Sequence, residues 1–136
     1  MKYRYKLKDH LLVGGGGFLG AVSRYELGNL FKIPPDGFPF NTFIINLSGS
    51  FVLGFVLTLI VGRTIRPTIN NWRLFLATGF IGAYTTFSSF AYEMLTLYRQ
   101  GNIAMGLLYS FASLSVGLLC VWLGARLARR LKTTDG

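Results

Sequence analysis

Gly79-Phe80-Ile81-Gly82-Ala83-Tyr84-Thr85-Thr86-Phe87-Ser88-Ser89-Phe90 is the stretch that decides the fold. It sits in the middle of an apolar run from about Trp72 to Leu97, and about 20 such residues cross a bilayer as a helix. Two glycines are followed there by hydroxyl-bearing and β-branched residues, a composition that favours local unwinding. Backbone that leaves the helix at that depth is tolerated only when buried in protein or lining a cavity. Its freed carbonyls are ready ligands for a small hard cation such as Na⁺. A continuous helix, with Ser and Thr bonding back to the i−4 carbonyls, is the other reading; the break is the one adopted.

Outward from this stretch, three more apolar runs appear: about Leu11–Phe31, about Phe40–Val61 and about Ile103–Leu127. The connectors are short and carry breakers, among them Pro34, Pro35, Gly37, Pro67 and Gly101. The 136 residues are 51% hydrophobic and 14% charged, against about 25% charged in soluble domains. The mean hydropathy is +0.46. The expectation is an all-α integral membrane protein, a single domain over residues 1–136 with four transmembrane helices, the third broken near its middle. A cleaved leader is a minor alternative for the first run, given Lys2, Arg4, Lys6 and Lys8 and the Ala21-Val22-Ser23 triplet.

Charge gives the expected orientation. With four spans, the tail residues Lys2, Arg4, Lys6 and Lys8, then Arg63, Arg66 and Arg73, and finally Arg126, Arg129, Arg130 and Lys132 share one side. Lys32 and Arg99 fall on the other, and Arg24 lies within the first span. Both termini are therefore expected in the cytoplasm, at the plasma (inner) membrane. The pI of about 10.1 reflects topology and contact with anionic lipid, and not nucleic-acid binding. Cys120 and His10 stand alone, with no zinc spacing, and no P-loop, Ser-His-Asp set or paired-carboxylate motif is present. An enzyme is not expected.

The remaining spans carry polar residues of open meaning. Gly14, Gly17, Ala21, Arg24 and Gly28 step by three or four, so they share a helical face on which another backbone can approach. Arg24 either snorkels and bonds a neighbouring helix, or supplies positive potential to an anion path. In the second span, Asn46, Gly49, Ser50 and Leu53 share a face. The Asn46 amide must find a partner in hydrocarbon, and a helix–helix bond and a pore-lining role are equally open. Phe87 and Phe90 share a face too, either toward lipid or with positive ring edges toward a passage. Glu93 follows as a partner for a hydroxyl or an arginine. Tyr109, Ser113 and Gly117 form a stripe on the fourth span, with Ser110 and Ser115 beside it. They either pack or hand an anion from donor to donor.

Three stretches carry a resemblance: Gly16-Gly17-Phe18-Leu19-Gly20-Ala21-Val22-Ser23-Arg24-Tyr25, Asn46-Leu47-Ser48-Gly49-Ser50-Phe51 and Gly79 to Phe90. In order and spacing they resemble the first-, second- and third-helix motifs of the Fluc (CrcB-type) fluoride channels, over essentially the whole chain. The resemblance implies a passive fluoride-selective channel that exports fluoride and lowers its toxicity. It also implies an antiparallel dimer with two pores and a structural Na⁺ at its centre, held by the Gly82 and Thr85 carbonyls. Asn46, Phe87, Phe90, Tyr109 and Ser113 would then be the pore residues, with Arg24 as an electrostatic aid. The family's next polar position is Gly117 here, a gap that Ser115 or water would have to fill. Eleven basic residues against two favour a fixed orientation. The antiparallel mate is then a homologue of opposite bias, unless insertion overrides the bias and a homodimer forms. A proton-coupled exporter is the rival transporter, with Glu26 and Glu93 its only carboxylate candidates. A membrane scaffold without transport is the other rival.

Overall fold

A computed structural model describes residues 6–30, 37–60 and 67–133, with side chains for all of these but 67–69 and Thr133. Lys2, Arg4, Lys32, Arg63 and Arg66 of the charge count lie outside the described residues. The chain is all-helical. Helix α1 spans Leu7–Leu30 and α2 spans Phe40–Ile60. Helix α3 runs over 67–84 in three windings: α-helical Pro67–Trp72, π-helical Arg73–Ile81 and α-helical Gly82–Tyr84. Helix α4 covers Phe87–Arg99 and α5 covers Ile103–Thr133. Gly101, at φ 79°, makes the left-handed turn between them, and Asn102 N–H closes it on Leu97 O at 2.9 Å.

The third apolar run is therefore broken, between α3 and α4, as its composition predicts. Among the described residues, three stretches are long and apolar enough to cross a membrane: Phe40–Ile60, Asn70–Arg99 and Ile103–Lys132. Helix α1 has the length, at 24 residues, but it is glycine-rich and carries Lys8 and Asp9 near one end and Arg24 and Glu26 near the other. Composition alone does not mark it as a span. Three runs outrun their expected limits, the third by starting at Pro67. Helix α1 begins at Leu7, where Lys6 N–H donates to Asp9 Oδ2 (2.9 Å) and ties down the entering chain. Helix α5 continues past Leu127 to Thr133, because basic residues suit the negative end of the helix dipole.

The helices form two parallel pairs. In the first, α1 lies along α3 with backbone against backbone. A Cβ at Gly16 would collide with the Phe75 carbonyl, one at Gly20 with the Phe80 carbonyl, and one at Gly79 would lie 2.7 Å from Val13 O. The close-packing glycines of α1 are thus Gly16 and Gly20. Gly14 and Gly28, placed on the expected stripe, have open space around their Cβ positions. Four consecutive glycines, Gly14 to Gly17, offer several faces, and the partner selects one. In the second pair α2 lies along α5, with Gly54 against Val121 O and Gly124 against Phe51 O. Such contacts associate helices in lipid, where dispersion replaces the hydrophobic effect.

Parallel pairing brings the start of α1, the start of α3 and the ends of α2 and α5 to one end of the bundle. Lys6, Lys8, Arg73, Arg126, Arg129, Arg130 and Lys132 gather there, and Arg99 lies at the other end. The described part of the charge asymmetry is therefore geometric as well as sequential. Few side chains are buried: Ile45, Ile81, Leu97 and Tyr109 are among them, while Phe18, Phe111, Leu114 and Leu118 project outward. A bundle apolar on its outside matches an apolar solvent.

Candidate functional site: the helix break and its cavity

The break consists of two extended residues, Thr85 (φ −77°, ψ 156°) and Thr86 (φ −148°, ψ 118°). Each has a role in ending or starting a helix. Thr85 Oγ1 donates to Ile81 O at 2.9 Å, adding to its own N–H bond to that carbonyl at 3.0 Å. Thr86 is the N-cap of α4, and its Oγ1 accepts from Ser89 N–H at 3.1 Å.

Asn46 clamps this break from α2. Its Nδ2 donates to Thr86 O (3.0 Å) and its Oδ1 accepts from Thr86 N–H (2.8 Å). An extended residue in a membrane helix exposes one donor and one acceptor, and the amide matches both. The helix–helix bond that sequence left open for Asn46 is therefore present. The pore-lining alternative survives beside it, because an amide has a second N–H and Asn46 also lines a cavity.

In an unbroken helix, Gly82 O would accept from Thr86 N–H and Thr85 O from Ser89 N–H. Both donors are diverted, the first to Asn46 and the second to the Thr86 hydroxyl. The two carbonyls expected to face a cation are thus among those whose helical donors the break removes. Gly82 is exposed in the single chain, and a Cβ there would meet only Ala77 O, at 3.9 Å. Among the described residues no group of three or more His, Cys, Asp or Glu could hold a metal. A cation at the break would be held by neutral backbone oxygens, a donor set that fits Na⁺.

Beside the break lies a cavity of about 280 Å³ lined by Asn46, Ser50, Thr86, Phe87, Phe90 and Ser113, with Gly49, Leu53, Thr85 and Leu114. The α2 face read from sequence, Asn46, Gly49, Ser50 and Leu53, is one of its walls. Ser113 Oγ is buried with no hydrogen-bond partner among the described residues. A membrane serine ordinarily bonds the carbonyl one turn back, so this hydroxyl is left with its bonding capacity unused. Phe87 and Phe90 have ring centroids 5.8 Å apart. Phe87 is 79% exposed and Phe90 is half-buried, so Phe87 reaches beyond its own chain.

Tyr109 is placed differently from the other four expected pore residues. It is fully buried and does not line the cavity. Its hydroxyl donates to Glu93 Oε2 (2.7 Å), and its ring lies 5.1 Å from that of Phe90. Thr42 Oγ1 donates to the other oxygen, Glu93 Oε1, at 2.6 Å. Glu93 is therefore a partner for hydroxyls, and one charge-assisted cluster joins α2, α4 and α5 one turn from the cavity. Sequence named Glu93 and Tyr109 but did not join them, and Thr42 was missed; a lone threonine at a helix start gives no signal of its distant partner.

Arg24 lies half-buried on α1, away from the cavity, and forms no hydrogen bond or ion pair with another described residue. Gly117 has only Leu47 Cδ2, at 4.0 Å, near its Cβ position. Ser115 is exposed and does not line the cavity, so it does not fill the Gly117 gap.

Comparison with known proteins places this geometry. Residues 11–125 match the family model described as CrcB-like protein, Camphor Resistance (CrcB). A protein of Chlorobium phaeobacteroides (strain BS1) named fluoride-specific ion channel FluC is 43% identical over 120 residues, 88% of this chain and 91% of that one. Its namesake in Chlorobium luteolum (strain DSM 273) is 46% identical over 114 residues, 84% of this chain and 87% of the other. A FluC 1 of Moorella thermoacetica is 45% identical over 121 residues, covering 88% and 85%. The relatives are named as ion channels and not as enzymes. With the match running from the start of α1 through most of α5, this chain belongs to the CrcB-like family.

Proposed function

We propose that the chain is a passive, fluoride-selective channel of the plasma (inner) membrane that lets fluoride leave the cytoplasm. One observation carries the reading: a helix broken at Thr85–Thr86 and held open by Asn46 gathers Phe87, Phe90 and Ser113 around one cavity. The names of the relatives supply the ion.

Fluoride is small and holds its water tightly, so a path for it must offer donors in place of the hydration shell. The second N–H of Asn46 and the open Ser113 hydroxyl are such donors. Phe87 and Phe90 present ring edges, whose partial positive charge touches an anion without holding it. Each stop must bind weakly, or conduction fails. Tyr109, bonded to Glu93, positions the Phe90 ring and would reach the ion only by exchanging that bond. Arg24 acts at longer range, offsetting the loss of hydration in a medium of low dielectric.

In this reading α1, α2, α3–α4 and α5 are four spans with both termini in the cytoplasm. The working unit is an antiparallel dimer, in which the exposed Phe87 and the open Gly82 face meet a second chain. A structural Na⁺ held by the Gly82 and Thr85 carbonyls would supply fixed positive charge at the centre of that dimer. The partner is an oppositely oriented homologue if orientation is fixed, or a second copy if it is not.

The test is fluoride efflux from proteoliposomes into a chamber with a fluoride-selective electrode. Efflux without a proton gradient, with chloride excluded, is the expected result. Flux that requires a pH gradient would favour proton-coupled export through Glu93, and absence of flux would leave a scaffold.

A further inference from the structure

We propose that the groove between α2 and the end of α5 binds one anionic phospholipid, its phosphate on Arg126 and Arg130 and an acyl chain along Phe51, Leu123 and Leu127. These five residues line a cavity of about 400 Å³ at the basic end of the bundle, apart from the helix break. The lining is ordered along the helix axis. Phe51 lies level with Gly124, since a Cβ there would strike the Phe51 carbonyl. The two arginines follow Leu123 toward the helix end, four residues apart and therefore on one face. Arg126 lies about 3 Å and Arg130 about 9 Å beyond the level of Gly124 toward the helix end, so both guanidiniums can snorkel toward the headgroups at the basic pole.

The charge is placed as well as present. The Arg126 guanidinium carbon sits 5.0 Å from the centre of the Trp122 ring, a contact that fixes its direction. Lys132 Nζ donates to Thr58 O at 2.5 Å and so adds its charge to the same end. Neither α2 nor α5 contains an acidic residue, so both walls of the groove are neutral or positive. Leu123 and Leu127 are exposed. An apolar strip of Phe51, Leu123 and Leu127, bordered by Arg126 and closed at the helix end by Arg130, matches an acyl chain that ends in a phosphate. A zwitterionic headgroup carries its own cation to this surface and suits it less. The proposal rests on the membrane reading alone and holds whichever ion the cavity conducts.

The test is native mass spectrometry of the purified protein titrated with phosphatidylglycerol or with phosphatidylcholine of the same chains. Phosphatidylglycerol should be retained about tenfold better. Arg126→Gln with Arg130→Gln should erase that preference, and Arg99→Gln at the opposite end should leave it intact. Both arginines are exposed, so the double variant keeps its fold, which an unchanged helical circular dichroism spectrum verifies. Leu123→Trp, which fills the trough and spares the charges, should also lose the lipid. Equal retention of the two lipids, or a preference that survives the double variant, overturns the proposal. Displacement by millimolar inorganic phosphate would assign the site to a free anion and overturn it too. So would a disulfide between two copies bearing Leu127→Cys in a Cys120→Ser background, since a second chain would then occupy the groove.

Discussion

Asn46 and Ser113 line the same cavity with opposite degrees of satisfaction, and that contrast makes their contributions separable by mutation. Asn46 holds both backbone groups of Thr86, so its amide shapes the break even without an ion. Asn46→Asp keeps an acceptor for Thr86 N–H, loses the donor to Thr86 O and places negative charge in the path. Fluoride flux in liposomes should be abolished. Ser113 Oγ bonds nothing described, so Ser113→Ala removes no structural bond. Its stability should stay within about 0.5 kcal/mol of the parent, measured by thermal unfolding in detergent, while fluoride flux falls at least several-fold. A loss of stability with unchanged flux would make Ser113 a packing residue. Residue identities at this site were legible because polar groups in an apolar run are conspicuous. Their partners were not: Thr86 is 40 positions from Asn46, and no local pattern joins them.

At the scale of elements, the apolar runs and the Gly–hydroxyl stretch foretold the helices and the break. The π winding of Arg73–Ile81 was not legible. Nothing in Arg73-Leu74-Phe75-Leu76-Ala77-Thr78-Gly79 opposes an ordinary α-helix, and the wider coil arises where α3 meets the bare backbone of α1. That meeting makes a prediction of its own. Gly20→Ala drives a methyl group into the Phe80 carbonyl, and overpacking of this kind costs about 1–3 kcal/mol. Gly14→Ala meets nothing within 4 Å and should be neutral. Thermal unfolding of the two variants in detergent gives the comparison. Equal behaviour would mean that α1 does not lie on α3 as described. The same contact explains why the expected stripe of Gly14, Gly17, Ala21, Arg24 and Gly28 was displaced: periodicity gives a face, and the neighbouring backbone chooses which one.

For the whole molecule, the question is how the bundle sits in its membrane. The described basic residues of three helix ends share one pole, against Arg99 at the other. Cysteines at Leu131 and at Ile103, both exposed, in a Cys120→Ser background should each react with an impermeant reagent from one side only. Labelling of each from both sides would show mixed insertion and make a homodimer the antiparallel unit. The pole was legible from sequence, because basic side chains report topology whatever the packing. What covers Phe87 or the Gly82 face was not, since one chain's sequence does not show it.

The π-helical turn has a consequence for insertions and deletions. A π segment accommodates an extra residue within an otherwise regular coil. Deleting one amino acid between 73 and 81 would let α3 rewind tightly, and everything beyond would rotate by about 100°. Thr86 would then swing off the Asn46 amide, and the mouth beside it would shut, although no lining side chain had changed. Chain length within this one turn is therefore a determinant of the opening, as strict as the identity of any residue that borders it.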